Sequence, residues 1–356
     1  LLNSLTSLRF IAALMVFVYH AGILSEYQLG AAGVSFFFVL SGFILTLNYH
    51  NKINKLNKTN LKQFYKARFA KIYPLHLLTF FIAVPITLLY FNPDGLYLIK
   101  LIYMSVINLS LIHSFSPSSA TYFNFNGVSW TLSVEAFFYL TFPFLIFNIR
   151  KLKIHNYKFR SILLLTIVWI GLFVLNFNLN ESNHFLIWTL HIFPVARLFE
   201  FITGIVLGLI FVKTQNNWSS EKHSITEILA VILFIVALLV SVNFHTGAVR
   251  GGFFIPVWCI LVYIFAHQKG IISRLLSNRV LVYLGEISFS FYMIHQLIIR
   301  YYGQFKFDES YMAVVCFVIT MVLSAIIYRY YEEPLRKWIR YGKQKKLLLS
   351  NKKASA

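Results

Sequence analysis

Apolar runs of roughly 20 residues, the length of helix that crosses a bilayer, follow one another along almost the whole chain. A run of that length leaves few options. Backbone N–H and C=O groups in hydrocarbon must be satisfied within their own segment, so each run is expected to be a helix and the chain a bundle of them. The runs fall at about 7–24, 31–50, 73–91, 131–149, 161–178, 190–212, 225–243, 252–267, 279–299 and 311–331. Composition agrees, with 58% of 356 residues hydrophobic and 12% charged, about half the charged share of a soluble domain. The expected fold class is an all-α polytopic membrane protein with about ten transmembrane helices. The first run lacks a basic leader and a small-residue cleavage site, so it is expected to remain as a span.

The charges fix the expected topology. Connector 51–72 holds Lys52, Lys55, Lys58, Lys62, Lys66, Arg68 and Lys71 and no acid, and connector 150–160 holds Arg150, Lys151, Lys153, Lys158 and Arg160. Lys269, Arg274 and Arg279 mark a third basic stretch, and the chain after Leu335 is basic through Lys353. Positive-inside logic places all of these in the cytoplasm, with both termini. The number of full crossings is then even. An eleventh apolar run, 97–114, would flip connector 150–160 outward if it crossed, so it is expected to be re-entrant or interfacial. Lys52 and Arg150 are expected inside, Asp94 and Asp308 outside. The net charge of +20 thus reports topology and lipid contact, and no nucleic-acid partner is expected. Residues 1–338 read as one membrane domain and 339–356 as a basic cytoplasmic tail. Cys259 and Cys316 lie in separate runs without metal-site spacing, and neither metal nor bound redox cofactor is expected.

Ionisable residues inside such runs are costly and need a reason. In "SLRFIAALMVFVYHAG", Arg9 and His20 are eleven residues apart, which returns to within about 20° of one helix face over a rise of roughly 16 Å. Alone, each has a plain reading: an arginine snorkelling to lipid phosphate, a histidine bonded to a neighbouring helix. Sharing a face, they define one groove from the cytoplasmic end into the membrane. In "FYKARFAKIYPLH", Arg68 and Lys71 precede Pro74, which suits the first turn of a helix; the two cations are expected at the mouth of the third span. Glu135, in "WTLSVE", is a carboxylate near the outer end of the fourth crossing that needs a partner or a proton, with Trp130 and Ser133 beside it. Arg197 and Glu200 are three apart, as are Tyr292 and His295, each pair on one helix face, and the plain reading of the first is a mutual ion pair. Gly204 and Gly208 suggest close helix packing. Glu332 and Glu333, before Pro334, suit a helix end paired with Arg336.

Taken in order, Arg9 with His20, "RFAKIYP" at 68–74, "WTLSVE" at 130–135, "RLFEF" with its following glycines at 197–208, "SFSFYMIH" at 288–295 and "EEP" at 332–334 resemble the acyltransferase 3 family of bacterial-type integral-membrane acyltransferases. The resemblance spans essentially the whole chain. One position departs: the family's cytoplasmic R-x-x-R pattern has Lys71 at its second place, which keeps the charge and loses the planar fork. Some family members carry a C-terminal extracytoplasmic esterase-like domain, which is not expected here. The resemblance implies transfer of an acyl group, usually acetyl, from acyl-CoA to a hydroxyl of a carbohydrate or lipid-linked glycan, in a bacterial cytoplasmic membrane. It implies His20 as base or acyl acceptor, Glu135 as its orienting carboxylate, and Arg9, Arg68 and Lys71 as donor-binding cations. Trp130, Ser133, Arg197, Glu200, Tyr292 and His295 would form a supporting polar network.

Two other readings stay open at this level. A transporter or flippase for a lipid-linked sugar would line its path with the same charges, although the duplicated halves common in transporters are not visible. A transmembrane acyl carrier would pass the group to a separate transferase.

Overall fold

The structure is a computed structural model, and it describes residues 2–53, 56–90, 95–152, 158–178, 182–214, 218–305 and 308–342. Its helices, in chain order, are α1 Asn3–His20, α2 Leu29–Tyr49, α3 Lys58–Tyr90, α4 Gly95–Leu109, α5 Ser119–Tyr122, α6 Trp130–Lys151, α7 Lys158–Phe177 and α8 His184–His191. They continue as α9 Pro194–Lys213, α10 Ser220–Ser241, α11 Thr246–Ala248, α12 Ile255–Ala266, α13 Ile271–Leu276, α14 Arg279–Gln304, α15 Met312–Ile327 and α16 Glu333–Tyr341. No strand occurs among the described residues. Nine described stretches are long and apolar enough to cross a membrane. α1, 18 residues long with Arg9 and His20, packs against α2 and α14 and accounts for the tenth expected run. The chain is an all-α polytopic membrane protein. α4 has 15 residues, about 22 Å of helix, short of a span.

Three elements differ from the sequence expectation. α3 begins at Lys58 rather than near 73 and runs unbroken through Pro74 and Pro85 for 33 residues. Phe64, Ala67 and Ala70 face the bundle while Lys62 and Lys66 face out, so the basic connector is amphipathic and helical. Pro74 therefore lies inside the helix, not in its first turn. The apolar run at 190–212 is divided by Pro194, which starts α9 after the short α8. The last run ends in a π turn, Tyr328–Glu332, that leads directly into α16, so Glu332 and Glu333 do not terminate a helix.

Hydrogen bonds define two ends of the bundle. At one, Asn3 N donates to Gln268 Oε1 at 2.7 Å and Ser7 Oγ to the Leu276 carbonyl at 2.5 Å. There too Lys158 Nζ meets Thr214 Oγ1 at 2.9 Å, and Arg150 donates to the His50 carbonyl. The basic connectors thus gather on one face, as the charge pattern required. At the other end Asn126 Nδ2 donates to the Met293 carbonyl at 2.8 Å and Trp188 Nε1 to the Ser114 carbonyl at 3.0 Å. Lys55, Asp94, Lys153 and the tail from 343 onward lie outside the described residues.

Glycines set the central packing. A Cβ on Gly42 would stand 2.1 Å from the Phe201 carbonyl oxygen, and one on Gly204 would stand 2.0 Å from that of Val39. α2 and α9 therefore meet backbone to backbone, as Gly204 and Gly208 suggested. Gly285 of α14 meets the Thr6 carbonyl of α1 in the same way, at 2.0 Å.

Candidate active site

That last contact places α1 beside α14. Both start at the basic end; His20 lies 17 residues beyond Asn3 and His295 lies 16 beyond Arg279, so each imidazole sits about 25 Å along its helix. His20 is the final residue of α1, whereas α14 continues nine residues past His295. Nδ1 of His20 is 2.8 Å from Nε2 of His295, and the rings stack at 5.1 Å.

The protons follow from the partners. His295 Nδ1 lies 2.6 Å from the Tyr292 carbonyl. A carbonyl only accepts, so this nitrogen carries the hydrogen, and the Nε2 of neutral His295 is an acceptor. His20 Nδ1 must then donate to it. His20 Nε2 is left with a lone pair and no hydrogen-bond partner among the described residues, on a side chain that is only partly buried. His295 is fully enclosed, with Phe17 and Phe291 against its ring. Beside it, Thr131 Oγ1 donates to the Val128 carbonyl at 2.8 Å, so Tyr292 Oη, 3.0 Å away, donates to Thr131. This bond ties α14 to α6.

The cations form a second group about 16 Å nearer the basic end. Arg9 makes no hydrogen bond or ion pair with the described residues and stands in the field of Glu332 first and Glu135 next. Lys71 Nζ binds Glu332 Oε1 at 2.9 Å and lies 4.7 Å from the Phe289 ring. The other oxygen of Glu332 accepts from Ser290 Oγ at 2.7 Å, so this carboxylate joins α3, α14 and the last span. Of the two acids expected to pair with Arg336, Glu333 does so at 4.0 Å and Glu332 does not. Arg68 reaches Tyr49 Oη at 3.4 Å and lies over the rings of Tyr49 and Tyr139 at 5.5 and 5.6 Å. Its Nε is buried with no hydrogen-bond partner.

Glu135 belongs to this second group. Its Oε1 accepts from Tyr139 Oη and, at 3.4 Å, from Ser41 Oγ. No hydrogen bond joins Glu135 to His20; the place expected for an orienting carboxylate is held by His295. Glu135 lies within electrostatic reach of both Arg9 and Tyr292, and its hydrogen bonds go to Tyr139 and Ser41.

The remaining expected residues divide. Ser133 Oγ donates to the Leu111 carbonyl at 2.8 Å, and the Trp130 carbonyl accepts from Ser114 Oγ at 2.8 Å. Both hold the turn after α4 onto α6. Arg197 and Glu200 form a buried ion pair at 3.1 Å, and Arg197 Nη1 also donates to the Arg250 carbonyl at 3.0 Å. Arg197 Nε and both Glu200 oxygens are buried with no hydrogen-bond partner, so the pair is held by charge alone. Sequence reasoning passed over Tyr139, although its place four residues after Glu135 puts it on the same helix face. It also missed Arg250, which donates to Tyr19 Oη at 3.1 Å and Gln28 Oε1 at 3.3 Å beside His20. A single arginine before two glycines carried no signal.

Known proteins are similar to this sequence over most of its length. The family described as "Acyltransferase domain" matches residues 2–329. Acyltransferase MdmB of Streptomyces mycarofaciens is 32% identical over 332 residues, covering 84% of this chain and 79% of its own. O-acetyltransferase OatA of Staphylococcus aureus (strain NCTC 8325 / PS 47) is 26% identical over 357 residues, covering 94% of this chain. The chain spans 57% of OatA's length. No solved structure matches. The family domain covers nearly every helix that carries a polar residue described above, and the chain belongs to the acyltransferase 3 family: it is a multi-pass membrane acyltransferase.

Proposed function

We propose that the protein moves an acyl group, acetyl by preference, from acyl-CoA to a hydroxyl of a carbohydrate or lipid-linked glycan. The observation that carries this reading is the unpartnered Nε2 lone pair of His20, on the same face of α1 as the unpaired Arg9. Arg9, Arg68 and Lys71 would hold donor phosphates at the basic end, taken as cytoplasmic. Their spacing from His20 lets the acyl-bearing arm extend along α1. At its tip, His20 Nε2 takes the acceptor hydroxyl's proton, the oxygen attacks the thioester carbonyl, and the C–S bond breaks. The thiolate leaves and is protonated from the imidazolium. His295 shares the transient positive charge through the Nδ1–H···Nε2 bond, and the Tyr292 carbonyl fixes its tautomer. In an acyl-carrier route, Nε2 attacks the thioester itself and the acceptor then takes the group from it. Glu135 serves here as a positioning residue for the cation group rather than as a partner of His20. The relative named O-acetyltransferase supports the acetyl assignment. The membrane is taken as the bacterial cytoplasmic one.

Purified protein incubated with acetyl-labelled acetyl-CoA tests the reading. Label is expected on hydroxyl acceptors such as candidate glycans, and label held on the protein without acceptor selects the carrier route. A preparation that binds acetyl-CoA but moves no label to protein or acceptor would overturn it. Cysteines placed at 52 and 308, in a background lacking Cys259 and Cys316, should label from outside intact cells only at 308.

A further inference from the structure

A groove of about 630 Å³ opens between α7, α9, α10 and α12, within the roughly 300–1,000 Å³ typical of ligand pockets. It is separate from the cation group and from the histidines: α9 turns Gly204 and Gly208 toward α2 and Thr203 and Val206 toward the groove. Its wall is apolar, including Ile162, Leu165, Trp169, Val206 and Ile260. Its lysine and two histidines are collected at one end, whereas Thr166 and Thr203 lie partway along the wall. Lys158 starts α7, Thr214 follows α9, His223 lies in the first turn of α10, and His267 follows α12. This is the basic end of the bundle.

We infer that the groove holds one anionic phospholipid of the basic-end leaflet, its phosphate at Lys158, His223 and His267 and an acyl chain along the apolar wall. Three observations carry this. First, the length fits: from Lys158 to Trp169 is eleven residues, about 16 Å, half of the roughly 30 Å hydrocarbon core. Second, His223 is 1% exposed, yet its Nε2 has no hydrogen-bond partner, and neither has the Nε2 of His267. The two rings lie 5.3 Å apart, and buried polar atoms of this kind are ordinarily satisfied. Third, the rim is net basic: Lys158, Lys213, Lys222 and Lys269 stand at this end against Glu221 and Glu227. Glu227, one turn beyond His223, is spent on α13, accepting from Gly270 N at 3.0 Å, Ser273 N at 2.9 Å and Ser273 Oγ at 2.5 Å. Lys158 gives one hydrogen to Thr214 Oγ1 at 2.9 Å and retains two more donors. A neutral imidazole can donate its one N–H to a phosphate oxygen. A lipid is favoured over free phosphate because the apolar wall continues directly from the cationic rim. The inference stands apart from the transferase reading.

Native mass spectrometry of the full chain, stripped of lipid in detergent, tests it. Phosphatidylglycerol, phosphatidylcholine with the same acyl chains, and inorganic phosphate are the three arms. One phosphatidylglycerol is expected to stay bound at concentrations where phosphatidylcholine does not, and inorganic phosphate should not displace it. Lys158→Gln, at an exposed helix start, should weaken phosphatidylglycerol roughly fivefold without changing the melting temperature. Val206→Trp, which fills the wall, should remove both lipids. Equal retention of the two lipids, displacement by inorganic phosphate, or a Lys158→Gln protein that binds like the wild type would each overturn the inference.

Discussion

His20 and His295 meet through a hydrogen bond between α1 and α14, whereas His76 and His113 stack face to face at 6.3 Å between α3 and the turn after α4. Both are histidine pairs brought together by distant parts of the chain. They differ in where their lone pairs end up. His76 Nε2 donates to the Asn108 carbonyl at 3.0 Å and His113 Nε2 lies 3.3 Å from Ser129 Oγ, while both Nδ1 atoms are buried with no partner. No acceptor could reach either ring, which are 1% and 0% exposed. His20 has the opposite arrangement: its inner nitrogen is occupied by His295 and its outer one is open. Nearness of two imidazoles is therefore not what makes a base. A base needs one nitrogen fixed and the other reachable.

Substitutions can break this contrast. The largest effect is expected at His20. His20→Ala should cut single-turnover transfer by roughly 10²–10⁴-fold for a lost base, and completely if the imidazole carries the acyl group, with donor binding retained. Wild-type turnover in a folded His20→Ala protein would end the distinction between the pairs. Next comes His295. His295→Leu should cost about 10²-fold through misplacement of His20, while His295→Gln, whose amide oxygen can accept from His20 Nδ1, should recover part of it. Equal loss in both would point to packing alone.

A smaller change is expected at the cations. Arg68→Gln should raise the KM for acyl-CoA by about tenfold, the worth of one charge-assisted contact, and leave the acceptor's KM unchanged. Lys71→Gln is less clean, because it also strands Glu332, whose side chain is 2% exposed; comparing it with Lys71→Arg separates the two effects. An unmoved donor KM in Arg68→Gln would return that residue to topology.

The smallest effect on activity belongs to His113. Burial, then the neighbouring His76, pushes this imidazole down to about 3 from 6.5. The unfolded chain binds a proton below 6.5 and the folded one does not, so the neutral His113 contributes stability above that pH and loses it as pH falls toward 3. His113→Phe should leave transfer within about twofold, lower thermal stability by about 1–3 kcal/mol, and flatten the acid side of the stability profile. A large kinetic defect there would make the second pair functional after all.

The spans were legible in the sequence because hydrocarbon allows the backbone so few solutions, and the two ends because basic residues sort by side. Arg9, His20, Arg68 and Lys71 stood out for the same reason, each a charge or imidazole where apolar residues are the rule. Glu135 was legible as a polar oddity but not as to its partner. Which of several buried groups meets His20 depends on how far each helix extends and on contacts such as Gly285 with Thr6, and neither is written locally. The plain ion-pair reading of Arg197 with Glu200 matches the structure, since three residues on one helix suffice for it. Glu332 with Lys71 could not be foreseen, since 261 residues separate the two.

α3 carries a further consequence. Its 33 residues make a helix of about 50 Å, of which only the apolar part beyond Ile72, about 27 Å, lies in the hydrocarbon layer of about 30 Å, with Arg68 and Lys71 fixed on the basic part just outside it. A bilayer thinner than that apolar part is answered by tilting, and tilt moves the cations relative to the headgroup plane. If the cations hold the donor as proposed, membrane thickness becomes a control on how it is met, separate from the chemistry proposed at His20. In vesicles of graded acyl length this coupling would show as a drifting KM for acyl-CoA at constant kcat.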